Sequence, residues 1–233
     1  MKSNVLTAGL ILLALSFVRP PVAAQCQIKL SGDVTATTTY MWRGIKQFHG
    51  AALQGTTVLA GSFFASGMFY SSMNSADFDV ETDLFLEFLW PGGAVSGVTI
   101  YCYNFKRFNS TAVVECEAYI KLTSDLVDLA FYYVPEQKSL DEYRTLPGYA
   151  ISSLYWAEGS CGFTAANLDW RAGLGYGTYS SRFAQIVKDD PVGIVQLSAS
   201  KPLGENISIT WDYSVSMDKD IEDGFWAVLS MVF

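Results

Sequence analysis

The chain has 233 residues, of which 50% are hydrophobic, 15% aromatic and 16% charged, and its formal net charge is −8. That acidic balance argues against a nucleic-acid partner, because phosphate-binding surfaces are built from clustered lysine and arginine. So high an aromatic content is unusual for a soluble domain, yet beyond the N-terminal segment no apolar run approaches the ~18 residues of a transmembrane helix.

The N-terminus reads as a secretory signal. Lys2 opens a short basic segment, Val5 to Val18 is almost continuously apolar, and Val22-Ala23-Ala24 supplies the small residues of a cleavage site after Ala24. Gln25 stands where a lipoprotein signal needs Gly, Ala or Ser, which argues against lipidation of Cys26. Residues 1–24 are therefore assigned to the signal peptide and 25–233 to a single domain. Loss of Lys2 and Arg19 leaves the mature chain more negative still.

From Gln25 onward, short alternating segments are separated by turn residues, with no sustained helical period and no linker. In the first, Ile28, Leu30, Val34, Ala36, Tyr40 and Trp42 oppose Lys29, Ser31, Asp33, Thr35, Thr37 and Thr39. Val80, Leu84, Leu86 and Phe88 oppose Asp79, Glu81, Asp83 and Glu87. Cys116, Ala118, Ile120 and Leu122 oppose Glu115, Glu117, Tyr119 and Lys121. Leu168, Trp170, Ala172, Leu174 and Tyr176 oppose Asn167, Asp169, Arg171 and the glycines that follow. Ile207, Ile209, Trp211, Tyr213 and Val215 oppose Ser208, Thr210, Asp212 and Ser214. The last segment, Gly224-Phe-Trp-Ala-Val-Leu-Ser-Met-Val-Phe233, ends on an aromatic residue of its apolar face. A side-chain period of two sends each set to its own side of a sheet.

A soluble β-sandwich would show the same alternation, so connection lengths have to separate the two. About 12 strands are predicted, 10 or 14 being compatible with the same boundaries, and long connections alternate with tight ones. The long ones fall at Gly44 to Gly50, Met73 to Asp77, Lys106 to Ala112, Pro135 to Pro147, Thr178 to Pro191 and Ser216 to Asp223. Pro91-Gly92-Gly93, Ser124-Asp125-Leu126 and Lys201 to Gly204 are tight. Transmembrane barrels segregate their connections in this way, with turns toward the periplasm and loops toward the outside. The expected fold is all-β: an antiparallel up-and-down transmembrane β-barrel in the outer membrane of a Gram-negative bacterium. Tyr40 and Trp42 are expected in the outer aromatic girdle, and Trp90, Tyr155 and Trp156 in the inner one. Phe233 is expected to be the signal read by the barrel assembly machinery. Outer-membrane lipid and lipopolysaccharide are the expected surroundings.

The first hairpin carries Tyr40-Met-Trp-Arg43-Gly44-Ile-Lys-Gln47, then Gly50-Ala-Ala-Leu-Gln-Gly55, then Gly67-Met-Phe-Tyr-Ser71. It resembles the opening of the small proteobacterial proteins of the TorF-type porin family (Gcw_chp). Their pattern runs aromatic, two residues, Arg-Gly-Ile-x-Gln, a short polar loop and an Ala-Leu-Gln-Gly-like strand start. Tyr40, Arg43, Gly44, Gln47, Leu53, Gln54 and Gly55 carry the match, which is sharp over the first third of the mature chain. Cys102 and Cys116 are not part of the pattern. The resemblance implies an outer-membrane barrel with a channel function.

A channel needs a polar lumen, and the polar strand faces supply one. They carry Asp33, Asp79, Glu81, Asp83, Glu87, Glu115, Glu117, Asp128, Asp169 and Asp212 against Lys29, Lys121 and Arg171. The acids concentrate toward the outer mouth, where a ring of carboxylates attracts cations and disfavours anions. The same charges could instead pair with Arg43, Arg171 and Lys121 and plug the lumen. Arg43 is read either as a constriction charge folded over the lumen or as an anchor tying the first loop to a carboxylate. Gly44 supplies a turn conformation closed to other residues, and Gly173-Leu-Gly-Tyr-Gly177 makes room in the lumen.

Cys102 and Cys116 flank a hairpin centred on Asn109 and are candidate disulfide partners; Cys26 and Cys161 are a second candidate pair. No catalytic residue is assigned, since the one histidine, His49, sits at a loop tip. No phosphate loop, Cys/His metal spacing or cofactor motif is present, and the acidic run Asp218, Asp220, Glu222, Asp223 is read as solvated rather than as a cation site. The predicted function is passive diffusion of small hydrophilic solutes, cationic or neutral. The alternatives are a non-conducting barrel whose outer loops bind a ligand or partner, and a soluble periplasmic or secreted β-sandwich that binds a ligand.

Overall fold

The structure, a computed structural model, describes residues 27–48, 50–72, 78–105, 110–135, 154–181 and 186–233. The signal segment, Cys26 and His49 lie outside the described residues. The strands are β1 (Lys29–Thr37), β2 (Tyr40–Trp42), β3 (Ile45–Phe48), β4 (Ala52–Ala60), β5 (Phe64–Ser72), β6 (Phe78–Trp90) and β7 (Ala94–Phe105). They continue as β8 (Ser110–Thr123), β9 (Val127–Val134), β10 (Leu154–Ala165), β11 (Leu168–Ser181), β12 (Ile186–Pro202), β13 (Ile207–Ser216) and β14 (Gly224–Val232). Twelve of them close into an antiparallel barrel in which β1 lies between β14 and β4, while β2 and β3 form a separate hairpin.

The alternation read from sequence becomes an inverted distribution of polarity. Leu30, Leu53, Leu84, Ile120, Leu129, Leu174 and Leu229 are exposed, while Glu81, Asp83, Glu117, Ser71 and Ser214 are buried. A soluble protein does not leave so continuous an apolar surface uncovered. Closed pairing also removes the sheet edges that hydrocarbon cannot hydrate. The molecule is a transmembrane β-barrel, and the soluble sandwich is excluded.

The tight connections follow β4, β6, β8, β10 and β12, as the alternation of loop lengths requires. One strand boundary differs from expectation. Gly159 and Gly162 read locally as a turn, whereas β10 runs unbroken through Glu158-Gly-Ser-Cys-Gly162 to Ala165. Both neighbours pair along this stretch, so ladder bonds outweigh the turn propensity of its glycines. The actual turn is Ala166-Asn167, with φ of 54° and 59°, the two left-handed residues of a type I′ hairpin. β11 and β12 also extend further than predicted, with a bulge between Gly177 and Tyr179, and shorten the connection between them.

Barrel closure is made by β1 and β14. Gly32 and Phe233 exchange both backbone hydrogen bonds, at 3.1 and 2.9 Å. The Phe233 ring covers Gly32 on the outer surface, where a Cβ would stand 2.8 Å from the ring. The same device recurs inside the barrel. Phe85 and Tyr119 lie over Gly67 and Gly97, their cross-strand partners, and Trp156 lies over Gly175, where a Cβ would be 2.3 Å from the indole. Glycine thus lets a large ring lie against the wall instead of projecting across the lumen.

The proposed pairing of Cys102 with Cys116 is corrected by the register. The ladder sets Cys102 opposite Val113 and, past a bulge between Tyr101 and Cys102, Cys116 opposite Ile100, and no disulfide joins the two. Counting symmetrically outward from Asn109 fails because Phe105 pairs with Ser110, so the ladder is not centred on Asn109. The aromatic girdles are corrected in part. Trp90 lies beside the tight turn, its Nε1 donating to Ser96 Oγ at 2.8 Å, and a stacked Phe163–Trp170 pair flanks another tight turn with centroids 6.3 Å apart. Tyr155 faces outward, but at the long-loop end of β10. Tyr40, Trp42 and Trp156 belong to neither girdle, because all three point into the barrel.

Candidate functional site

At Thr38–Thr39 the chain leaves the barrel wall and turns inward. Thr37 Oγ1 donates to the Thr39 carbonyl at 2.7 Å at this bend. Tyr40–Trp42 and Ile45–Phe48 then form a hairpin whose tip is Arg43-Gly44, with φ of 52° and 76°. Two successive left-handed residues between the paired Trp42 and Ile45 make a type I′ turn. Glycine suits its second position, but arginine at the first is locally unfavourable, since that site prefers Asn, Asp or Gly. Tertiary contacts must hold it there.

Those contacts lie across the lumen. Arg43 Nη2 is 2.6 Å from Glu117 Oε2 on β8, with side-chain exposures of 9% and 2%. The guanidinium carbon stands 4.0 Å from the ring centroids of both Trp42 and Tyr132. Tyr101 donates its hydroxyl to the other Glu117 oxygen at 3.0 Å, so both carboxylate oxygens are engaged. Burial is the largest influence on Arg43 and opposes its charge, but Glu117, Tyr101 and Tyr132 together outweigh it and hold the guanidinium pKa above its ordinary value. Gly44 presses on β12, where a Cβ would meet Gln196 Nε2 at 2.6 Å and Ile194 Cγ2 at 2.7 Å. Since β9 is six strands from β1 in either direction round the barrel, the tip reaches the far wall.

The rest of the hairpin is fixed by packing and charge. Ile45 joins Trp156, Val192, Ile194 and Ile221 in a buried apolar cluster, with Trp42 and Tyr132 against it. Ile221 comes from the connection between β13 and β14, which also supplies Glu222 to Lys46 Nζ at 2.8 Å. Two outer connections therefore interlock at the long-loop end. Tyr40 is buried beside Glu81 and Asp83; burial first, then Glu81, pushes its phenol well above 10.0.

Below the tip the charged side chains are more exposed than Arg43 and Glu117. Glu87 accepts from Tyr119 at 2.9 Å and from Lys121 at 3.3 Å. Arg171 pairs with Asp128 at 2.6 Å and donates through Nε to Ser160 at 2.8 Å. Glu158 accepts from the Tyr132 hydroxyl at 2.9 Å and from Trp156 Nε1 at 3.1 Å. A recess of about 190 Å³ is lined here by Asp128, Glu158, Ser160, Arg171, Gln196 and Ser198, among others.

Glu81, Asp83, Glu87, Glu117, Lys121, Asp169 and Arg171 lie on the strand faces opposite the exposed Leu84, Leu86, Ile120, Leu122 and Leu174. The structure joins Arg43 to Glu117 and Lys121 to Glu87, while Asp169 stands apart near the β10–β11 turn with Thr164, at 2.8 Å. Glu115 lies opposite Tyr101 in the ladder, and its side chain is outside the described residues. Glu158, Tyr101 and Tyr132 were missed as site residues. The signal for Glu158 and Tyr132 was phase, in step with Ser160 and with Asp128, whereas Tyr101 is marked only by the register that sets it opposite Glu115.

No protein-family model and no curated protein sequence matches the chain. Among solved structures it is similar to a membrane protein from a study of in-meso crystallization, at 7% identity over 87% of this chain and 83% of that chain, with a TM-score of 0.53. It is similar to the NanC porin at 10% identity over 86% and 98% of the two chains, with a TM-score of 0.52. An outer-membrane channel from Pseudomonas putida F1 aligns over 92% and 98% at 11% identity and a TM-score of 0.46. At such identities the likeness is one of fold. With the apolar exterior, that fold makes the chain an outer-membrane β-barrel.

Proposed function

We propose that the protein is a narrow outer-membrane channel, exported by its N-terminal signal, through which small cationic or neutral hydrophilic solutes diffuse past a constriction built by the Arg43 hairpin. The observation that carries this reading is the contrast between an apolar exterior and a lumen lined with charge, narrowed by an inward-folded loop. Asp33, Glu81, Asp83, Glu87, Glu117, Asp128, Glu158, Asp169 and Asp212 face the lumen against Lys29, Arg43, Lys121 and Arg171. Among the described residues three of these cations pair with a carboxylate, and the acids in excess of them raise the local concentration of cations. The fold likeness to a porin supports passive diffusion in preference to catalysis. Lipopolysaccharide at the rim and the barrel assembly machinery at Phe233 are the partners this reading implies.

Kinship with the TorF-type family belongs to the same proposal. Tyr40, Arg43 and Gly44, which carry the resemblance, are the residues that build the constriction. Purified, folded protein in planar bilayers is expected to carry current, with a reversal potential of cation-preferring sign in a salt gradient. The buried apolar cluster around Ile45 favours a second reading, a non-conducting barrel. Absence of current from protein with a heat-shifted folded band would establish that alternative.

A further inference from the structure

The far wall holds Arg43 as a receptor would hold a guanidinium ligand. Tyr101, Glu117 and Tyr132 come from the adjacent strands β7, β8 and β9, and together present a carboxylate, a hydroxyl that orients it, and an aromatic face. Only Arg43 and Trp42 come from the hairpin. Without the hairpin, the wall keeps the pairing of carboxylate and ring that recognises organic cations. The strained φ of 52° at Arg43 is a second, independent sign that its side chain is placed there at the expense of local preference. A third is the recess beneath: Glu158 lines it and accepts from the hydroxyl of the same Tyr132 that carries Arg43, so solute-sized space adjoins the cage.

We propose that Arg43 is a tethered ligand, and that a soluble guanidinium solute binds the Tyr101–Glu117–Tyr132 site in its place and releases the hairpin from the far wall, widening the lumen. Tethering gives Arg43 an effective concentration on the order of millimolar, so a free cation competes only when it is abundant or when the tether is weakened. A neutral solute of the same shape cannot compete, because it would leave Glu117 buried without a cation. The widening step rests on the channel reading; the binding step does not.

The test uses the folded mature chain, with ethylguanidinium as the probe and ethylurea as its neutral isostere, and isothermal titration calorimetry as the readout. Arg43→Met keeps an apolar stem among the rings but empties the cation site, so ethylguanidinium is expected to bind it about tenfold or more tighter than wild type. Adding Glu117→Gln to that variant is expected to remove the gain, and ethylurea to bind neither. Gly44→Val serves as a second variant, since a side chain there pushes the tip off Gln196 and Ile194 while every residue of the cage is retained; it is expected to show the same gain. Equal affinity of wild type and both variants, or a gain that survives Glu117→Gln, overturns the proposal. In bilayers ethylguanidinium is expected to raise the wild-type current and ethylurea to leave it unchanged. Binding as expected without current in any variant rejects the channel and keeps the site. Current without variant-dependent binding rejects the site and keeps the channel.

Discussion

Arg43 and Glu117 are 74 positions apart in sequence, yet Nη2 and Oε2 meet at 2.6 Å across the lumen. A pair this buried gains little over an apolar substitute, but loss of one partner strands the other as an uncompensated charge. The contact therefore fixes where the hairpin sits more than it adds stability.

Glu117→Ala should destabilise the folded barrel by about 3 kcal/mol, because Arg43 stays buried without its carboxylate. Combining it with Arg43→Met should restore most of that loss. Urea unfolding of the four proteins in lipid measures both effects. A single-variant cost below about 1 kcal/mol would mean that the pair is solvated.

Gly175→Ala places a methyl group against the Trp156 indole, in the space the glycine leaves open. Overpacking of this kind costs about 1–3 kcal/mol. Unfolding should shift accordingly, and the shift should disappear in a Trp156→Ala background. An unchanged midpoint in the single variant contradicts the packing described.

Deletion of Phe233 removes both backbone bonds to Gly32 and the ring that covers it. The folded, heat-shifted band in outer-membrane fractions should fall, and degradation products should rise. Undiminished levels would count against a role for the terminal residue in assembly.

Tyr40 contributes to a pH dependence of known sign. Its phenol is held above 10.0 in the folded protein, so its contribution is complete below the ordinary tyrosine value and is lost as pH rises through the elevated one. Tyr40→Phe should therefore flatten part of the alkaline fall in stability, while at neutral pH it costs about 1–3 kcal/mol for the hydrogen bond lost by buried Glu81. Superimposable alkaline profiles for the two proteins would remove Tyr40 from the account.

The barrel was legible because lipid imposes a strict period of two: Leu84, Leu86, Glu81 and Asp83 take the sides that their polarity alone assigns. Loop lengths gave the direction of each strand. The constriction was harder to read, since Tyr40 and Trp42 continue the first strand's apolar phase and nothing local marks the bend at Thr38–Thr39. What decides it is the far wall, where Glu117, Tyr132 and Ile194 receive the tip, and such contacts have no signature within the hairpin itself. The Cys102–Cys116 pairing failed because the hairpin was centred on Asn109, whereas Phe105 pairs with Ser110, and register is a property of two strands together. Glu158 was hidden by its glycine neighbours, which read as a turn until both flanking strands are known.

The most direct test of a narrow, acidic channel set by the Arg43 hairpin is the single-channel current of wild type and Arg43→Met in a salt gradient. A small, cation-preferring conductance is expected in wild type, and a larger one in the variant that prefers cations more strongly. An anion-preferring reversal potential, or currents identical in the two proteins, would contradict it.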